Sequence, residues 1–161
     1  MNELIIFVAK DLIWLIVIVA VIYVFLQPRK KQKELLFFVG ITLPIIYIVA
    51  KIGSLFYFDA RPFVAGNFVP LIDHVSDNGF PSDHTLFGAA IAMTIFFYNR
   101  KIGLALLGLA LVVGFSRVLA GVHHSIDIFG SMVFAIIFAW LIHKYGMPII
   151  LQLKIYKKYV K

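Results

Sequence analysis

One short segment, residues 116–127, places an arginine, two histidines and an aspartate close together in an otherwise apolar sequence. Such side chains resist burial in hydrocarbon, so their clustering predicts a water-filled reaction site. Arg61-Pro62 and Pro81-Ser82-Asp83-His84 supply the same residue types elsewhere in the chain. Guanidinium groups bind phosphate oxygens, and imidazoles attack phosphorus or transfer protons. The three segments together predict phosphoryl transfer.

The composition predicts an integral membrane protein. The chain has 161 residues, of which 62% are hydrophobic and 14% are charged, whereas soluble domains are about 45–50% apolar. The first apolar stretch, Ile5 to Leu26, ends in basic residues and lacks the pattern of a cleaved signal peptide, so we interpret it as a retained span. The absence of cysteine excludes disulfides, thiolate catalysis and thiolate metal sites.

The net charge of +7 records membrane topology and gives no support for nucleic-acid binding. Eleven of the fifteen Lys and Arg residues lie in three clusters that flank apolar segments, as in cytoplasmic loops. The first cluster is Arg29, Lys30, Lys31 and Lys33; the second is Arg100 and Lys101; the third is Lys144, Lys154, Lys157, Lys158 and Lys161. The remaining four are Lys10, Lys51, Arg61 and Arg117.

Apolar runs of about 20 residues, the length that crosses a bilayer, recur along the chain. They predict an all-α integral membrane helical bundle with about five transmembrane helices, in one domain covering residues 1–161. The predicted spans are Ile5 to Leu26, Leu35 to Phe58, Pro81 to Tyr98, Ile102 to Ala120 and Ser125 to Ile142.

Local signals predict where these helices begin, pack and end. Pro81 suits a first helical turn, and Ser125 is a candidate N-cap. Gly146 and Pro148 predict a stop after the fifth helix. Glycines on the fourth helix provide small surfaces for close packing, at Gly103, Gly108 and Gly114.

If the basic clusters lie inside the cell, the N-terminus and both polar connections lie outside and the C-terminus lies inside. The connections are residues 59–80 and 121–124, so all the chemical motifs share the non-cytoplasmic face. Residues 146–161 then form either a cytoplasmic interfacial tail on an anionic leaflet or a merely solvated terminus.

The motifs resemble the signature of the type-2 phosphatidic acid phosphatase superfamily. Its third motif is matched without a gap by Ser116, Arg117, His123 and Asp127, and its second motif corresponds to Pro81-Ser82-Asp83-His84, with Asp83 where glycine is usual. The first motif is matched at Arg61-Pro62. There Ser54 occupies the position of the usual lysine, and Lys51, nearly one helical turn earlier, is the candidate replacement.

Within this superfamily, the aspartate of the second motif and the sequence from Gly79 to His84 resemble the bacitracin-resistance-type undecaprenyl diphosphatases. That resemblance implies a polyprenyl diphosphate substrate, hydrolysed to the monophosphate at the outer face of a bacterial cytoplasmic membrane. Membrane lipids are then its surroundings, and protein partners remain unassigned.

Physical chemistry assigns roles to the catalytic residues. We predict that His123 is a nucleophile whose second nitrogen is held by Asp127, and that His84 is the general acid and then the base. These roles require neither metal nor cofactor.

A terminal phosphate also needs a cradle of cations and N–H dipoles. Arg61 and Arg117 are its predicted guanidinium groups, and Ser82 adds a hydroxyl at a helix start. The predicted binding set is completed by Ser116, Asp83 and Lys51. Asp83 can reinforce the helix start, orient Arg117 or tune His84.

Several alternatives stay open from the sequence. For His124 we favour a structural or rim role, and loop solvation explains His74, Asp73 and Asp77 as well as substrate contact does. The lipid substrate can instead be phosphatidylglycerophosphate or phosphatidate, because one catalytic cradle serves several lipids. A non-catalytic binder of anionic lipids is the alternative from another class.

Overall fold

The structure is a computed structural model that describes residues 1–152, and its framework is helical. The predicted basic tail therefore lies mostly outside the described residues. The helices are α1 (Asn2–Lys10), α2 (Ile13–Phe25), α3 (Arg29–Ser54), α4 (Pro62–Ala65), α5 (Asp83–Phe96), α6 (Arg100–Leu119), α7 (Ser125–Leu141) and α8 (Met147–Gln152), with a π-helical turn at Ile142–Gly146 between the last two.

Two predicted helix starts, at Pro81 and at Ser125, are displaced by one or two residues. Helix α5 begins at Asp83, so Pro81 lies before the first turn and that prediction is wrong. The cap of α7 is His124 and not Ser125, because the His124 backbone N–H donates to the Asp127 carboxylate at 2.9 Å. A carboxylate in the first turn is the preferred partner for free N–H groups at a helix start.

The predicted stop at Gly146 and Pro148 is also wrong, because the chain stays helical from Ser125 to Gln152. The π-helical turn re-phases the helix just before Pro148, which becomes the second residue of α8. At the start of a helical segment the missing N–H of proline costs little. Ile142 and Met147 are buried in one cluster with Phe38, which holds this segment against α3.

Helix α5 is the centre of the bundle and packs against α2, α3, α6 and α7. Its inward positions are small, with Ala89 and Ala92 fully buried. Gly114 allows α6 to approach, since a Cβ there would lie 2.6 Å from both Thr85 Oγ1 and Ile128 Cγ2. Gly103 is similarly close to α5, as predicted, whereas Gly108 faces open space and its predicted packing role is wrong.

The all-helical membrane fold is confirmed, but the count of five spans is not. By length and apolar composition, three described helical segments can cross a bilayer: α3, α6 and Ser125–Gln152. Helices α1 and α2 make a fourth span if the pair, bent by 43°, is taken together. Helix α5 has 14 residues, which is short for a span.

The first two basic clusters and the chemical motifs lie at opposite ends of the bundle. At one end, Tyr98 Oη donates to Glu34 of α3 at 2.8 Å, and the ring of His143 stacks on Phe97. The N-termini of α3 and α6, which carry the first two basic clusters, are at this end. The other end collects the C-termini of α3 and α6 and the N-termini of α5 and α7, and it holds the motifs.

Candidate active site

The motif residues meet around a small cavity at this second end of the bundle. Helix α3, the 55–82 connection, the start of α5, the end of α6 and the turn before α7 each contribute side chains. The cavity has a volume of about 120 Å³ and is here called the inner cavity. It is lined by Lys51, Arg61, His74, Asp77, Asn78, Pro81, Asp83, His84, Arg117 and His123.

His123 is held in a single orientation by Asp127. The His123 Nδ1 lies 3.0 Å from Asp127 Oδ2, and the same oxygen accepts the His124 backbone N–H at 2.9 Å. His123 is 2% exposed and Asp127 is fully buried, so water does not compete for this bond. Asp127 lies in the first turn of α7, and His123 lies two residues before that helix begins. Their four-residue spacing brings the two side chains together.

The other ring nitrogen of His123 faces a donor. Arg61 Nη1 lies 3.4 Å from His123 Nε2. Because arginine has no acceptor and a carboxylate has no donor, Nδ1 must carry the proton and Nε2 the free electron pair. This neutral tautomer is the one that a nitrogen nucleophile requires.

Arg61 is buried, at 5% exposure, and is fixed by the loop around it. Its Nε donates to Asp77 at 2.7 Å, and its Nη1 donates to the Val122 carbonyl at 2.8 Å. The Asp77 carboxylate compensates the charge of a guanidinium that would otherwise be costly to bury. The sequence left two roles open for Asp77, a solvated loop residue or a substrate contact. In the structure Asp77 is an ion-pair partner of Arg61.

Arg117 approaches the inner cavity from α6. Its Nη1 donates to the Ala9 carbonyl at 3.0 Å, at the end of α1. Its Nε is buried and has no hydrogen-bond partner. A buried N–H without an acceptor is unusual and costs about 1–3 kcal/mol, and a bound anion would satisfy it.

Lys51 lines the inner cavity even though its position departs from the first motif. Its Nζ lies 3.3 Å from Asp83 Oδ1, with both side chains about half exposed. Ser54, at the position of the usual lysine, donates its hydroxyl to the Lys51 carbonyl at 2.7 Å. The structure therefore places a cation at the inner cavity from a position nearly one turn earlier on α3.

Two predicted binding residues are not among the side chains that line the inner cavity. Ser82 is fully buried, and its hydroxyl accepts from Thr85 at 3.2 Å. Ser116 donates its hydroxyl to the Val112 carbonyl within α6, at 2.8 Å. Both hydroxyls serve the packing of helix ends in this structure, while their neighbours Asp83 and Arg117 line the cavity.

A loop network missed by the sequence analysis supports His124. Asp59 Oδ2 lies 2.9 Å from His124 Nδ1, and Asn78 Oδ1 accepts the backbone N–H groups of Asp59 and Phe80, both at 3.0 Å. Because the His124 backbone N–H also donates to Asp127, this network positions the carboxylate that holds His123. Neither Asp59 nor Asn78 belongs to a motif, so nothing in the sequence distinguished them from solvated loop residues.

Among the described residues, one group could hold a metal ion. Asp59, His124 and Asp127 offer ligand atoms that lie within 4.8 Å of one another. Two of these atoms, Asp59 Oδ2 and His124 Nδ1, already share the hydrogen bond described above. The hydrogen bonds account for the arrangement without an ion.

The charges of the site shift the pKa values of its loop residues. Burial lowers the pKa of His123 from 6.5; the hydrogen bond to Asp127 opposes this change, and Arg117 and Arg61 add to it. Burial would raise the pKa of Asp77, but the hydrogen bond and charge of Arg61 hold it below its ordinary value. Burial and Arg61 also lower the pKa of His74. The inner cavity therefore favours neutral imidazoles in the loop.

A second cavity of about 340 Å³, here called the outer cavity, adjoins the inner cavity. His74, His84 and Arg117 line both cavities. The ring centroids of His74 and His123 are 6.1 Å apart. The outer cavity is lined by Lys10, Asp11, Ile72, Asp73, His74, His84 and Arg117.

The fold and the site define a helical membrane protein with a cavity at one end that is lined by arginines, a lysine and histidines. Residues 33–149 match the family model of the PAP2 superfamily, and the chain belongs to that superfamily. The resemblance noted in the motifs is thereby confirmed.

Three other proteins are similar to the chain in sequence. The chain is 37% identical over 123 residues to the undecaprenyl-diphosphatase BcrC of Bacillus subtilis (strain 168), covering 76% of this chain and 64% of that protein. It is 32% identical over 129 residues to the bacitracin transport permease protein BcrC of Bacillus licheniformis, covering 80% and 63%. It is 34% identical over 134 residues to the putative undecaprenyl-diphosphatase YbjG of Escherichia coli (strain K12), covering 82% and 67%. The chain thus matches less than two thirds of the length of both BcrC proteins.

Proposed function

We propose that this chain, acting as a single membrane domain, hydrolyses undecaprenyl diphosphate to undecaprenyl phosphate and inorganic phosphate. The observation that carries the proposal is the inner cavity, where Arg61, Arg117 and Lys51 surround a space flanked by His84 and His123. Three cations around a space of about 120 Å³ suit one phosphoryl group. The names of two relatives support the choice of a prenyl diphosphate.

In the proposed first step, His123 Nε2 attacks the terminal phosphorus and the bond from phosphorus to the bridging oxygen breaks. The leaving lipid phosphate keeps the electron pair of that bond and takes a proton from His84. Asp127 stabilises the positive charge that develops on the His123 ring. The attack requires that Arg61 Nη1 first turns from Nε2 to the phosphoryl oxygens, while the hydrogen bond from Arg61 Nε to Asp77 keeps the guanidinium in place.

In the second step, a water molecule attacks the phosphohistidine on His123. His84, now without its proton, accepts a proton from that water as the nitrogen–phosphorus bond breaks. Inorganic phosphate leaves, and both imidazoles return to their starting states. The predicted roles of His84, His123 and Asp127 need no metal ion in either step.

The proposed setting is the outer face of a bacterial cytoplasmic membrane. The substrate remains anchored in the bilayer by its prenyl chain, and only the diphosphate enters the inner cavity. The product is the monophosphate carrier, which becomes available for another round of wall-polymer export. A cytoplasmic C-terminus follows from the basic clusters at the other end of the bundle.

The test is phosphate release by purified protein in detergent with excess chelator, using a lipid panel. We expect undecaprenyl diphosphate to be hydrolysed much faster than phosphatidate or phosphatidylglycerophosphate. Substrate labelled with ³²P at its terminal phosphate should label His123, and His123→Ala should abolish both the label and turnover. His143→Gln is the matched control, because that histidine lies at the opposite end of the bundle.

Three results would separate the alternatives. Faster turnover of a diacyl substrate would replace the proposed lipid. Loss of activity in chelator would contradict the metal-free mechanism. A folded protein that binds these lipids without turnover would be a lipid binder, and the proposal would be wrong.

A further inference from the structure

Lys10 is the one basic residue that neither the charge clusters nor the motifs explain. It is the last residue of α1, where the chain bends by 43° before α2 begins at Ile13. The side chain is exposed and lines the outer cavity. Helix α1 also lies outside the residues that match the superfamily. The outer cavity is thus built in part by a segment that this family match does not cover.

The end of α1, which carries Lys10, contacts a residue of the proposed active site. Arg117 donates to the carbonyl of Ala9, the neighbour of Lys10, at 3.0 Å. Arg117 is 3% exposed, lines both cavities and keeps one buried N–H without an acceptor. The end of α1 is therefore fixed to a guanidinium that lines both cavities.

His84 also belongs to both cavities. A phosphoryl group bonded to His123 lies in the inner cavity, and the rest of a diphosphate must continue beyond it. The oxygen that bridges the two phosphates then lies near the boundary at which His84 stands. A general acid that protonates the leaving oxygen needs that position.

We propose that the outer cavity binds the second, lipid-linked phosphate of a diphosphate substrate, with Lys10 as its cation. This inference rests on the proposed function and names a determinant of its substrate class. Lys10 and Arg117 would contact the leaving phosphate while Arg61 and Lys51 hold the terminal one. A monophosphate would leave the outer cavity without an anion.

Two carboxylates also line the outer cavity, and their charge opposes an anion. Asp11 and Asp73 are exposed, so water and salt screen their repulsion, as they also screen the attraction of the exposed Lys10. Arg117 is buried, where the lower effective dielectric strengthens its attraction. The balance at the boundary of the two cavities therefore favours a phosphate next to Arg117, with Lys10 on its outer side.

The test compares a diphosphate substrate with an anion that mimics a single phosphoryl group. We expect Lys10→Gln to lower kcat/KM for farnesyl diphosphate about tenfold, the size of one charge-assisted hydrogen bond. The inhibition constant of orthovanadate should stay unchanged, because vanadate needs only the inner cavity. Lys10→Arg should retain most of the diphosphate activity. Lys101→Gln, at the other end of the bundle, is the matched control.

The outcomes distinguish this inference from the function on which it rests. If the wild-type protein releases no phosphate from the diphosphate, the proposed function fails and this inference fails with it. If the wild type is active and Lys10→Gln matches it, only the outer cavity proposal is overturned. Equal weakening of diphosphate turnover and vanadate inhibition would also overturn it, because Lys10 would then serve the inner cavity or the fold.

Discussion

At the scale of residues, the hydrogen bonds around His123 determine its protonation. Asp127 accepts at Nδ1 and Arg61 donates toward Nε2, so the ring is a neutral tautomer with its electron pair toward the inner cavity. The surrounding cations reinforce this state, because they repel a second proton. In the proposed function the same cations would bind the phosphate, so one set of charges would both prepare His123 as the nucleophile and hold its substrate.

This arrangement predicts the pH dependence of the reaction. Burial and the arginines lower the pKa of His123 below 6.5, so the neutral ring predominates at pH 6.5. Protonation inactivates the nucleophile only as pH falls through this lowered pKa. The acid limb of kcat/KM that belongs to His123 should therefore lie below pH 6.5.

NMR titration of histidine-labelled protein and the pH–rate profile check this prediction together. His74→Asn removes the other loop histidine whose pKa is lowered, and it should leave the His123 titration below 6.5. A His123 resonance that titrates above pH 6.5 in both proteins would contradict the assigned hydrogen bonds.

At the scale of elements, close approach of α6 and α7 to α5 sets the distance between the motifs. Gly114 lies three residues before Arg117 on α6, at the point where α6 meets Thr85 of α5 and Ile128 of α7. These contacts lie next to His84 and Asp127 along their own helices. The packing of one glycine therefore bears on both catalytic segments.

Two glycines on α6 offer a matched test of this packing. Gly114→Ala adds a methyl group that would lie 2.6 Å from Thr85 Oγ1 and Ile128 Cγ2, so we expect destabilisation by about 1–3 kcal/mol. Gly108→Ala meets no atom within 4 Å and should be neutral or slightly stabilising, because alanine favours helix. Thermal unfolding in detergent measures both variants. Equal unfolding temperatures would show that α6 adjusts without cost.

The helices and loops also show which features the sequence predicts and which it does not. Apolar length and basic flanks predicted the helical membrane fold, and the motif pattern predicted the family, because both signals are local in sequence. The positions of Asp59 and Asn78 depend on how the 55–82 connection folds back on α7, and no local pattern encodes that. The helix through Gly146 and Pro148 depended on a π-helical turn and on burial of Met147, which override a local stop signal.

At the scale of the whole molecule, the first two basic clusters and the candidate active site lie at opposite ends of the bundle. The starts of α3 and α6 carry Lys and Arg at one end, and the inner and outer cavities open at the other. The predicted outer position of the site requires the basic end to face the cytoplasm.

The absence of cysteine makes this orientation directly testable. A single cysteine at Val75, in the exposed loop beside the cavities, should react with a membrane-impermeant maleimide in intact cells. A single cysteine at Lys101, in the first turn of α6, should react only after lysis. The opposite pattern would place the cavities in the cytoplasm and contradict the proposed setting.

The short length of α5 has a consequence for how the substrate is reached. Its 14 residues rise about 21 Å, whereas the hydrocarbon layer is about 30 Å thick. If the end of α5 at Phe96 lies at one boundary of that layer, the end that carries His84 lies roughly 9 Å short of the other boundary. Under the proposed function, a prenyl-anchored diphosphate would then move slightly below its resting depth to react, and dissolved phosphate esters would have to descend from bulk water. The short helix would then favour substrates that already reside in the bilayer.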